Sequence, residues 1–104
     1  MQNWKIKRMS YRQIHAWIIA INKLLAYYEG KASNPIPCPF CRVIWSQSCS
    51  NCLWTIFEGG TCIAVGEKIL PGWRRNSKKW HILRIPMLKN WKKILKNELA
   101  RRDA

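Results

Sequence analysis

Every thiol of the chain lies in one stretch of 25 residues, CPFCRVIWSQSCSNCLWTIFEGGTC, running from Cys38 to Cys62. Cys38 and Cys41 form one C-x2-C pair, and Cys49 and Cys52 a second. Two tight turns of this kind can each offer two thiolates to a tetrahedral Zn2+. The seven-residue spacer between the pairs is shorter than in common zinc ribbons, so the turns must lie close together. Cys62 is a fifth thiol, read as a buried spare or as the alternative ligand. An iron–sulfur cluster would use the same four thiolates, with Phe40, Trp45, Trp54 and Phe57 to shield it, but no ferredoxin-type C-x2-C-x2-C run is present, which favours zinc.

CPFC also resembles the dithiol motif of glutaredoxins. That chemistry needs a strand-to-helix junction, whereas Pro35 and Pro37 precede this pair and a second pair follows almost at once. A closed four-thiolate site activates no water. Elsewhere the chain has five scattered carboxylates and two distant histidines, His15 and His81, with no acid–base or nucleophile–base motif. No catalytic residue and no enzymatic activity are expected.

The elements around the thiols set their context. The chain of 104 residues is the length of one domain, read as an N-terminal helical region (1–33), a zinc-binding centre (34–66) and a basic segment with a C-terminal helix (67–104). Ser10 and Gln13 stand at capping-box spacing, Gly30 follows, and Ile14, Trp17, Ile18, Ile21, Leu24, Leu25 and Tyr28 repeat on one helical face. The prolines of NPIPCP predict a stiff connector. LWTIF and TCIAV are β-prone and flank EGG, predicting a hairpin. Pro71-Gly72 marks a turn, and Pro86 suits the first turn of a last helix. The apolar side of that helix is Leu88, Trp91, Ile94, Leu95 and Leu99. The expected fold is α+β: a small zinc-stapled domain with a long N-terminal helix, a central knuckle and hairpin, and a C-terminal amphipathic helix.

Nineteen Lys and Arg face five Asp and Glu, a formal charge of +14. The three regions carry +5, 0 and +9, so a neutral, aromatic centre is flanked by two basic arms that face a polyanion. In LPGWRRNSKKWHILR, Trp73 and Trp80 interleave with Arg74, Arg75, Lys78, Lys79 and Arg84, a pattern that meets phosphates with cations and bases with indoles. Lys89, Lys92, Lys93 and Lys96 extend it along the last helix. The competing reading puts each tryptophan in the core with solvated charges around it. The partner is a nucleic acid or a nucleoprotein complex, or else an acidic groove on a protein.

The basic start lacks the apolar run of a secretory signal, and Asn22 and Lys23 interrupt the later one. An intracellular, cytoplasmic protein with no membrane partner is expected.

The central stretch resembles small zinc proteins encoded by phages and prophages, which carry a CP-x-C pair, a second C-x2-C pair, a following tryptophan and a further cysteine. The matching positions are Cys38, Pro39, Cys41, Cys49, Cys52, Trp54 and Cys62, with Phe57-Glu58-Gly59 between, while Leu53 stands where proline is often found. The resemblance implies bound zinc. Some small phage zinc proteins inhibit host defence, including CRISPR effector complexes, so it also implies a modulator of a host nucleic-acid machine. The alternative it carries is a protein–protein inhibitor of a host-defence complex that touches no nucleic acid.

Overall fold

A computed structural model describes residues 3–33, 38–44, 51–60, 67, 70 and 78–103. These form five helices: α1 (Asn3–Arg8), α2 (Tyr11–Tyr28), α3 (Pro39–Ile44), α4 (Leu53–Glu58) and α5 (Lys78–Asp103). No strand occurs among the described residues, which corrects the α+β expectation to an all-helical one.

Helix α2 begins and ends where its sequence dictates. The Gln13 N–H donates to Ser10 Oγ (3.1 Å) and the Ser10 N–H to Gln13 Oε1 (2.9 Å), closing a capping box. At the other end Gly30 takes φ 77°, and N–H groups of Gly30 and Lys31 return to the carbonyls of Tyr27 (3.0 Å) and Ala26 (2.7 Å). This pair of bonds satisfies carbonyls that the helix end would otherwise leave open. The buried side is Ile14, Trp17, Ala20, Ile21, Leu24, Leu25 and Tyr28.

The segment LWTIF is helix α4, not the first strand of a hairpin. Leu53, Trp54, Ile56 and Phe57 are all buried, and this i, i+1, i+3, i+4 set forms one side of a helical turn. Burial outweighs the β preference of these side chains. Gly59, with φ 79°, ends the helix by sending its N–H to Thr55 O at 2.9 Å. The second proposed strand, TCIAV, the Pro71-Gly72 turn and residues 34–37 of the proposed connector lie outside the described residues, while the connector's last proline, Pro39, opens helix α3 instead of extending the chain.

Pro86 sits inside α5 rather than in its first turn. A proline there removes the bond to the Ile82 carbonyl. Pro86 and Ile82 both face outward, Ile82 with 60 % exposure, so water can reach that carbonyl. A 26-residue helix is about 39 Å long at 1.5 Å per residue, close to the 41 Å long axis of the molecule.

Helix α2 packs on α5 and on α3, and aromatic rings fill the space between the helices. Phe57 stacks on Trp91 (4.9 Å, 5°), Trp54 meets Trp91 edge-on (5.3 Å, 88°), and Trp54 stacks on Trp80 (5.9 Å, 10°). Trp17 packs edge-on against Phe40 at 5.5 Å. Such pairs add to area burial because ring quadrupoles favour these geometries. The described core closes around these rings.

Arg102 ties the two ends of the chain. Its Nη1 donates to Met9 O (2.7 Å), its Nη2 to Lys7 O (2.9 Å) and Ile6 O (3.2 Å), and its Nε to Glu98 Oε1 (3.0 Å). One planar guanidinium thus satisfies the carbonyls at the end of α1 and anchors them to α5. Arg101 donates to both oxygens of Glu98 (2.7 and 2.9 Å). Its hydrogen bonds, followed by those of Arg102, outweigh partial burial and hold the Glu98 carboxyl down at about 2.

Candidate nucleic-acid interface

The outward side of α5 is a row of lysines. Successive helical residues turn by 100°, so Lys78, Ile82, Lys89, Lys93 and Lys96 fall on one side, with Lys79 and Lys92 at its edges. The opposite side carries Trp80, Arg84, Leu88, Trp91, Leu95 and Glu98, all buried. Lys78, Lys79, Lys89, Lys93 and Lys96 are exposed and Lys92 is half-buried. A cleft of about 500 Å3 runs beside this row, where Lys31 and Glu29 at the end of α2 approach Lys89 and Lys92.

Two members of the expected binding surface are drawn inside instead. Trp80 is 1 % exposed and stacked on Trp54, so it offers no face to a base. Arg84 is 3 % exposed, its Cζ 3.7 Å from the Trp54 ring centroid and 5.3, 5.5 and 6.0 Å from those of Trp80, Tyr28 and Trp91. It is a cation caged by aromatic faces, the arrangement that ring quadrupoles stabilise most when water is excluded. His81 lies against the same cage, 4.7 Å from the Tyr28 ring and 5.0 Å from that of Tyr27. His15 is exposed on α2. Trp73, Arg74 and Arg75 lie outside the described residues.

The thiols are placed at helix starts. Cys38 precedes α3 and is half-buried, Cys41 is exposed within it, and Cys52 is the buried N-cap of α4, with no cap hydrogen bond from its side chain. Cys49 and Cys62 lie outside the described residues. Among the described residues no three His, Cys, Asp or Glu side chains come together around a single metal position.

The N-terminal arm holds a feature that its sequence signals only weakly. In NWKIKR, Trp4 is followed at i+1 and i+4 by cations. Lys5 Nζ lies 5.5 Å and Arg8 Cζ 5.6 Å from the indole centroid, beside a second cleft.

No protein-family model, curated protein or solved structure matches this chain. Among the described residues no helix is long and apolar enough to cross a membrane.

Proposed function

We propose that the protein is a non-enzymatic, cytoplasmic binder of nucleic acid or of a nucleoprotein complex, and that the lysine row of α5 meets the phosphate backbone. The observation that carries this reading is the placement of five exposed lysines on one helix, opposite its buried side. From Lys78 to Lys96 the row extends about 27 Å at 1.5 Å per residue. Duplex DNA presents one charge per about 1.7 Å of axis, so several phosphates lie within reach of such a row. With Trp80 inside, the row works by charge rather than by stacking. Contact of this kind positions a protein without reading sequence.

A phage-derived modulator of a host nucleic-acid machine would use such a surface, in keeping with the resemblance of the cysteine segment. The second reading is an inhibitor that places the same lysines in an acidic groove of a host-defence protein. Exposed Ile82 and Leu83, in the turn after Lys79, favour it, because apolar side chains gain nothing against phosphate.

Duplex binding at several salt concentrations tests the proposal. Lys89→Ala, Lys93→Ala and Lys96→Ala combined should weaken affinity and reduce the salt slope by about 2.7, three contacts at 0.9 each, with folding unchanged. Wild-type protein that binds no duplex or single strand at low salt, yet captures a host-defence protein after nuclease treatment, would replace the first reading with the second.

A further inference from the structure

We infer that the cleft beside α1 is a site for one nucleotide unit, with its base stacked on Trp4 and its phosphate held by Lys5 and Arg8. The cleft encloses about 300 Å3 between α1, the start of α2, α3 and the approach to α4. That is the lower end of the size range of small-ligand sites, which are apolar hollows with a few convergent polar groups. Buried Trp17 and Ile56 line it, and its polar groups include Lys5, Arg8 and Gln13.

Trp4 is 55 % exposed at the mouth of this hollow. Lys5 Nζ and Arg8 Cζ stand over its ring at 5.5 and 5.6 Å from the centroid, farther off than Arg84 stands from Trp54 at 3.7 Å. More than half of Trp4 is nonetheless open to solvent, so a flat ring can reach the indole, with two cations close enough to reach a phosphate attached to it. Gln13 adds orientation. Its Oε1 is committed to the Ser10 N–H by the capping box, so its amide N–H groups are the part turned to other uses, such as the edge of a base.

Charge separates this cleft from two others. Glu29 lines the one between α2 and α5, and Glu98 lines another at the end of α5, whereas no carboxylate is among the described residues lining this one. Among the described lining residues a phosphate meets two cations, Lys5 and Arg8, and no opposing negative charge. The residues are distinct from the lysine row, so the two sites can succeed or fail independently.

Titration of the full chain with adenosine 5′-monophosphate, followed by NMR, tests the site, with adenosine and inorganic phosphate as separate controls. The nucleotide should bind more tightly than either fragment. Trp4→Ala should weaken it about tenfold, the loss expected for a stacked base. Trp4→Phe should restore most of the affinity, Lys5→Gln with Arg8→Gln should weaken it, and the triple lysine variant of α5 should leave it unchanged. A 5′-phosphorylated tetranucleotide identifies the source. A larger Trp4→Ala loss on the tetranucleotide than on the mononucleotide assigns the site to an unpaired strand, and an equal loss assigns it to a free nucleotide. Inorganic phosphate binding as tightly as the nucleotide, undiminished nucleotide binding by a folded Trp4→Ala variant, or no nucleotide binding at millimolar concentration would each overturn the inference.

Discussion

Arg84 places a positive charge where three tryptophans and a tyrosine surround it. Its aliphatic stem fills core volume and its flat head lies on the Trp54 face, so truncation removes packing and a desolvated cation–π contact together. Arg84→Ala is expected to lower stability by about 2–5 kcal/mol, as for a large-to-small core change. Arg84→Met keeps most of the stem and should lose less. Urea denaturation reads both. Folded Arg84→Ala protein should bind duplex as the wild type does. A stability change within about 0.5 kcal/mol, accompanied by weaker duplex binding, would return Arg84 to the surface. The alternation of cations and tryptophans around Lys78, Lys79, Trp80 and Arg84 reads alike for a base-stacking surface and for a caged cation. Only the register of the helix separates the two.

That register was hidden by Pro86. A helix begun at Pro86 contains Leu88, Trp91 and Leu95 on its inner side, but it leaves Trp80 and Arg84 in a loop with no assigned direction. Begun at Lys78, the same helix carries Trp80, Arg84, Leu88, Trp91 and Leu95 at steps of three and four along one side. The lysines after Pro86 and their apolar opposites were legible because their period is unbroken. The first two turns were not, because proline is more often a helix start than an interior residue. Helix α4 was misread for a related reason. Its aromatic and β-branched composition fits a strand, and Gly59 fits a hairpin turn as well as a helix end. Pro86→Ala decides the α5 assignment. It restores an interior N–H and should raise stability by about 1–3 kcal/mol, whereas at the first position of a helix the change would be near neutral. The midpoint of urea unfolding, at unchanged slope, is the measurement.

The whole molecule joins an aromatic core to a surface on which positive charge predominates, and each half makes a different demand. The described core closes around rings, with Cys52 the one cysteine fully inside it and Cys38 packed at its edge. A chelator verified to strip any zinc should therefore leave the far-ultraviolet helical signal largely intact. Its collapse would show that thiols beyond the described residues hold the fold. The surface makes the opposite kind of contribution. Nineteen basic residues oppose five acidic ones. Glu98, 8 % exposed, spends its charge on two arginines, Arg101 and Arg102. The remaining cations repel one another, a cost that salt screens within a Debye length of about 8–10 Å. Those same cations attract phosphate by releasing counterions, an advantage that salt removes. Raising sodium chloride from about 50 to 200 mM should thus raise the melting temperature of the free protein while weakening its duplex affinity. With five lysines in contact, the slope of about −4.5 implies a loss of about 500-fold over that range. If the melting temperature fell with salt as the affinity does, specific ion pairs and not mutual repulsion would govern this surface, and the lysine row would be engaged within the protein rather than held open for a polyanion.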